Sequence, residues 1–179
     1  MTPLLFSTFE VTTQAFYRAS LSYAIVNLKP IVPGHVLVIP QRRVPRLADL
    51  DDKELACLMR SIKRVGTVVQ RAYGADALTI ACQDGKAAGQ SVAHVHFHVL
   101  PRKFQGDPFS EKNDEIYPEL ERNEAKISTE LQGQTPPRYQ PSAHLKVDAD
   151  EDRVPRTAKE MEEEAAHLRR FFEQETESQ

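Results

Sequence analysis

His94, His96 and His98 alternate with Val95, Phe97 and Val99 in the stretch His94-Val-His-Phe-His-Val-Leu100. On an extended strand alternate side chains share a face, so the three imidazoles would point one way and the apolar residues into a core. A lone histidine is most often structural. A row of three asks for chemistry that ionises near neutrality. Metal binding and covalent catalysis both use such a row, and distance separates them. Residues two apart on a strand lie ~6.6 Å apart, which puts His94 and His98 ~13 Å apart. Zinc holds each ligand nitrogen at about 2.0–2.1 Å, so one ion reaches two of the three and not all. No carboxylate stands beside the row to orient metal-bound imidazoles, and no metal site is expected. In catalysis only the central His96 can face a reacting atom directly. It would attack phosphorus and form a covalent intermediate that water then releases. His98 would protonate a departing group or bind a phosphate oxygen.

The flanks suit an anion. Gly85-Lys-Ala-Ala-Gly89-Gln-Ser91 precedes the row and offers backbone N–H groups that could cradle a phosphate; Ser91 adds a hydroxyl and Gln83 an amide. By itself a Gly-x-x-x-Gly loop is usually just a turn. Charge points the same way. The 179 residues carry 23 basic and 26 acidic side chains, net −3. Residues 1–104 hold 13 basic against 7 acidic residues, and residues 105–179 hold 10 against 19. The basic half contains the histidine row. Arg42, Arg43, Arg46, Arg102 and Lys103 nevertheless read mostly as surface charges.

The elements that must position these residues are strands and one long helix. Ser22–Val26, Val36–Ile39, Leu78–Cys82 and Val92–Leu100 read as strands, with a fifth near Ala15–Ala19 and a weaker one at Leu5–Phe6. A helix is expected from about Asp51 to Tyr73. Asp51 with Glu54 forms a capping box, Gly74 stops the helix, and Leu55, Leu58, Met59, Ile62, Val65, Val69 and Ala72 make its buried face. Strands, one helix, then strands with short connections point to an α+β fold with a largely antiparallel sheet.

Residues 123–157, with Pro136, Pro137, Pro141, Pro155 and the acidic run 148–152, read as a poorly ordered insertion. Helical periodicity returns over 158–175, where Met161, Ala165, Leu168 and Phe172 share a face. The expected organisation is a catalytic domain over 1–122, an insertion over 123–157, and a C-terminal helix over 158–179 packing on the domain. No run is apolar enough to span a bilayer, and the start lacks a secretory pattern. Two cysteines, Cys57 and Cys82, fit a reducing compartment. A soluble cytoplasmic protein, also nuclear, with no membrane or nucleic-acid partner is expected.

The row His94-x-His96-x-His98-Val99-Leu100 resembles the motif of the histidine-triad family. The likeness extends through Val26-Asn27-Leu28-Lys-Pro30, Val32-Pro-Gly-His35-Val-Leu-Val38, Gln83-Asp-Gly85, Ala88-Gly-Gln90, Leu100-Pro-Arg-Lys103 and Asn113-Asp-Glu-Ile-Tyr117. Together these blocks resemble the fragile-histidine-triad branch, the diadenosine triphosphate hydrolases. The resemblance implies a homodimer with a five-stranded antiparallel sheet, one long central helix and a C-terminal helix. It implies cleavage of diadenosine triphosphate to AMP and ADP, with His96 as the nucleophile that becomes nucleotidylated. His98 would assist the leaving group, and His94 and His35 would support the row. Asn27 would contact ribose, and Gln83, Gly89, Gln90, Ser91 and Val92 would contact the phosphates. A first-strand substrate contact would fall near Thr8 or Phe9. No bound cofactor is implied, only Mg²⁺ or Mn²⁺ arriving with the substrate. Two other functions stay open beside this one: hydrolysis of an adenosine phosphoramidate, as in the sister branch, and slow-turnover nucleotide sensing.

Overall fold

β-branched residues favour a pleated surface, and the runs that carry them pair into one sheet. In the computed structural model, which describes residues 2–133 and 155–177, a small antiparallel hairpin of β1 (Leu5–Phe6) and β2 (Phe9–Glu10) comes first. The main sheet is built from β3 (Ala15–Arg18), β4 (Ser22–Val26), β5 (Val36–Pro40), β6 (Ala77–Ala81) and β7 (Phe97–Arg102). Its spatial order is β3-β4-β5-β7-β6 and every pairing is antiparallel, so the expected α+β class and five-stranded sheet are the observed ones.

Helix α1 (Asp52–Tyr73) starts at Asp51, whose side chain accepts from the Glu54 N–H at 2.8 Å while Glu54 returns a contact to the Asp51 N–H at 2.9 Å. It ends at Gly74, in the left-handed conformation at φ 60° that glycine adopts without strain. Leu58, Ile62, Val65 and Val69 are buried in the main core. Leu55 and Met59, expected on that face, are instead 40% and 47% exposed. A helix stripe is narrower than the apolar pattern that drew it, so its edges stay in water.

Two further helices complete the fold. Helix α2 (Ile116–Gly133) tolerates Pro118 because the first turn has no intrahelical acceptor for its missing N–H. Ile116 and Leu120 pack with Ile31, Val32, Leu100 and Phe109 in a second cluster, while Ile127 joins the main core. Val99, next to Leu100 on β7, belongs to the main core with α1; the two helices therefore cover opposite faces of the strand. Helix α3 (Ala158–Glu177) buries Met161, Ala165 and Leu168 fully, and Phe172 stacks 5.0 Å from Tyr17. Arg169 Nη2 donates to the Ala15 carbonyl at 2.9 Å, tying α3 to strand β3.

Residues 123–133, expected to begin a poorly ordered insertion, instead continue α2. Residues 134–154, with the acidic run, lie outside the described residues. Arg102 is likewise no surface charge. It is 9% exposed and donates to Asp107 at 2.6 Å, Thr79 at 3.1 Å and Asn113 at 3.1 Å, which orders the segment leading into α2. Among the described residues no helix is long and apolar enough to cross a membrane.

Candidate active site

Strand β7 begins at Phe97, so only His98 of the row lies on a regular strand; His94 and His96 sit in the irregular segment before it. All three imidazoles are at most 1% exposed. Burial at this depth requires every ring nitrogen to be accounted for.

His94 uses both of its nitrogens on the scaffold. Its Nδ1 accepts from the Ser7 N–H at 3.0 Å, and its Nε2–H donates to the Pro40 carbonyl at 2.9 Å. Burial pushes its pKa down to about 4, so it stays neutral. Both ring nitrogens are thus spent on the scaffold. His35 closes the Pro30–His35 loop, and its Nδ1 accepts from the Ile31 N–H at 3.3 Å. Its Nε2 therefore holds the proton and donates to His98 Nδ1 at 2.9 Å. That bond fixes His98 as the Nε2–H tautomer. Asn27 Nδ2 lies 3.3 Å from the same His35 Nε2; both atoms carry protons, so this is packing rather than a hydrogen bond. The Asn27 side-chain oxygen accepts from the Lys29 N–H at 2.9 Å and the residue is buried.

His96 is arranged differently. Its Nδ1–H donates to the His94 carbonyl at 2.8 Å, which aims Nε2 away from the sheet. The ring of Phe6 packs edge-on against it at 5.1 Å. Opposite Nε2, at 3.0 Å, is Oε2 of Glu124, a carboxylate on α2 with no exposed surface. His98 Nε2 points at the same oxygen from 3.6 Å, too far for a hydrogen bond, and is buried with no partner. The other oxygen, Oε1, takes the Ser91 N–H at 3.0 Å and lies 3.5 Å from the Val92 N–H; the Ser91 hydroxyl donates to the Glu124 main-chain carbonyl at 2.5 Å, with Oε1 farther away at 3.1 Å. Desolvation alone would lower His96 and raise Glu124. Their contact outweighs it and reverses both, holding the carboxyl well below its usual range and the imidazole above its own. The pair is carboxylate and imidazolium. His98 is pushed down by burial and stays neutral.

The loop before the row is a scaffold as much as a cradle. Gly89 has φ 89°, and a Cβ there would lie 2.7 Å from Gln83 Nε2, so only glycine fits. Gln90 turns away from the row, accepting from the Gly85 N–H at 2.8 Å and donating to the Pro45 carbonyl at 3.0 Å. Gln83 lies behind Gly89 with Oε1 buried and unpaired. Of the six residues assigned to substrate by resemblance besides His98, the fold thus brings Ser91 and Val92 to the His96 side, and commits Gln90 to the loop.

Glu124 is the residue that sequence reasoning missed, and the carboxylate whose lack argued against a metal is therefore present. His96, His98 and Glu124 offer donor atoms within 4.8 Å of one another, the one such group among the described residues. The distance argument still excludes a three-histidine ion site, because His94 turns away. A signal for the helix exists, since Ile116, Leu120, Glu124 and Ile127 recur at helical spacing with one charge inside an apolar stripe, but nothing in that spacing ties Glu124 to the histidine row.

The HIT domain family matches residues 8–105. A bis(5'-nucleosyl)-tetraphosphatase (asymmetrical) of Schizosaccharomyces pombe is 50% identical, over 98% of this chain and 98% of its own length. A bifunctional bis(5'-adenosyl)-triphosphatase/adenylylsulfatase FHIT of Arabidopsis thaliana is 43% identical over 89% of this chain and 78% of its own. The crystal structure of the C. elegans NitFhit protein superposes with a TM-score of 0.66 and 33% identity over 94% of this chain, which spans only 30% of that longer protein. The chain belongs to the HIT, or histidine-triad, family and within it to the FHIT branch.

Proposed function

We propose that the protein hydrolyses dinucleoside polyphosphates at the α-phosphorus, with diadenosine triphosphate giving AMP and ADP. One observation carries the reading: a buried imidazole nitrogen, His96 Nε2, faces a seat where backbone and imidazole donors converge on an anion. A neutral His96 Nε2 attacks phosphorus and the bond to the bridging oxygen breaks; the nucleotide departs as its phosphate anion, with His98 Nε2–H donating a hydrogen bond to that oxygen as charge builds on it. Water then attacks the same phosphorus and its proton passes to solvent, the N–P bond breaks to restore neutral His96 Nε2, and AMP leaves. Ser91 and Val92 would stabilise charge on the non-bridging oxygens. The chain needs no bound cofactor in this scheme, and a divalent cation enters with the polyphosphate, whose charge it offsets.

The names of the two relatives favour different substrates. The S. pombe protein is named for a four-phosphate bridge and matches end to end, whereas the A. thaliana protein is named for three. Attack at the α-phosphorus leaves AMP from either, with ADP or ATP as the other product. A homodimer fits the end strand β6, which among the described residues pairs only with β7 and leaves Ile80 47% exposed. Unbridged Cys57 and Cys82 suit the cytoplasm or nucleus. The catalytic body, 1–122 in the sequence reading, would extend through α2, because Glu124 stands in the site.

Hydrolysis of diadenosine triphosphate and diadenosine tetraphosphate in H₂¹⁸O tests this directly. Attack at the α-phosphorus puts the label on AMP and none on ADP or ATP. Label on ADP, or no AMP at all, contradicts the proposal. The ratio of kcat/KM for the two substrates then ranks the bridge lengths.

A further inference from the structure

We infer that Glu124 is a built-in occupant of the phosphoryl seat, which the substrate must displace before His96 can react. The inference deepens the proposed function and rests on reading the seat as the place of the α-phosphate.

Three observations support it. The two carboxylate oxygens divide the donors as two non-bridging phosphoryl oxygens would, Oε1 toward Ser91 and Val92 and Oε2 toward His96 and His98. The fit is incomplete on one side, however. His98 Nε2–H stays 3.6 Å away, buried and unpaired. A tetrahedral phosphoryl group has one more oxygen and a wider reach than a carboxylate, so it can meet the donor that Glu124 leaves short. Finally, Oε2 stands 3.0 Å from the one nitrogen that must approach phosphorus. Glu124 and substrate cannot be in the seat together.

The same contact sets the protonation of the nucleophile. The groups around His96 are Glu124 from α2, the neutral His94 and His98 of its own segment, and the ring of Phe6 from β1. Arg43 faces His94 and adds repulsion there. Among the described residues Glu124 is thus the one anion on His96, and with it seated the imidazole is protonated and unreactive. Leaving the seat frees a position for phosphate and removes the charge that holds the proton. Glu124 would therefore govern KM and the acid limb of the pH profile, acting through His96 as a positioning residue.

The test compares wild type with Glu124→Ala and Glu124→Gln. The dissociation constants of AMP and of inorganic phosphate are measured by calorimetry, and KM, kcat and the pH profile of kcat/KM on diadenosine triphosphate by product analysis. A seat closed nine-tenths of the time weakens apparent affinity about tenfold, so E124A should bind both probes about tenfold tighter. E124Q, which keeps the shape and drops the charge, should fall between. KM should drop with kcat little changed, and the acid limb should move to lower pH. A merely structural Glu124 predicts the reverse, weaker binding from a loosened α2. Unchanged or weaker binding of both probes in both variants overturns the inference. If wild type hydrolyses no dinucleotide yet E124A still gains affinity for inorganic phosphate, the proposed function falls and the occupant stands.

Discussion

His94 and His96 stand two residues apart, equally buried, and spend their nitrogens in opposite ways. On the backing side, hydrogen bonds of His94 and His35 run to Ser7, Pro40, Ile31 and His98. The reacting side, His96 with His98, turns two Nε2 atoms toward one carboxylate. The sequence repeats one residue type, while the fold splits it into scaffold and chemistry. What divides them is the partner of each ring nitrogen, since tautomer and charge follow from it.

Substitution should separate the two sides by what is lost. His96→Ala removes the nucleophile, and kcat should fall about 10⁴-fold or more. His98→Asn removes that hydrogen-bond donor, and kcat should fall about 10²–10³-fold, with recovery on an AMP ester whose leaving group is more acidic than ADP. His94→Ala should act mainly on stability. It strands the Ser7 N–H and the Pro40 carbonyl, and denaturant unfolding should report a loss of about 1–3 kcal/mol. A His94 variant that folds normally and loses activity as completely as His96→Ala would erase the distinction.

Smaller effects sharpen the comparison. Arg156, just before α3, donates from Nε to the Asn27 carbonyl at 3.1 Å, and its backbone N–H reaches the Leu28 carbonyl at 3.0 Å. It also pairs with Glu164, to which the Tyr73 hydroxyl donates. If Asn27 meets ribose, Arg156→Ala should raise KM about threefold to tenfold and leave kcat near wild type. The smallest effect is in pH dependence. Glu124 is lowered from its ordinary 4.5, so its share of stability is full above about pH 4.5 and fades only in stronger acid. His96 is raised from 6.5, so its share is full below about pH 6.5 and fades as pH climbs through the raised value. The melting-temperature advantage of wild type over E124A should therefore be largest between those values and shrink as the pH climbs further.

Much of this was legible in the sequence where patterns are local. The paired strands follow β-branched runs, α1 follows its capping box and Gly74, and the triad follows its spacing. What was not legible depends on distance along the chain. Glu124 enters the site 28 residues after His96, through a helix whose start carries Pro118 and whose composition reads as linker. The end of β7 posed the same difficulty: Arg102 looks like a surface charge until Asp107, Thr79 and Asn113 converge on it. The row itself was read as one strand face, whereas the strand starts only at Phe97. Alternation predicted which residues are buried less well than the hydrogen-bond demands of the imidazoles did.

The central claim is that His96 Nε2 bonds to phosphorus during turnover. Intact-protein mass spectrometry after brief exposure to diadenosine triphosphate, with quenching before the intermediate hydrolyses, measures this most directly. The account predicts a mass increase of one AMP moiety, mapped to His96 by peptide fragmentation and absent in His96→Ala. Full turnover with no adduct, or an adduct on another residue that survives His96→Ala, would contradict it.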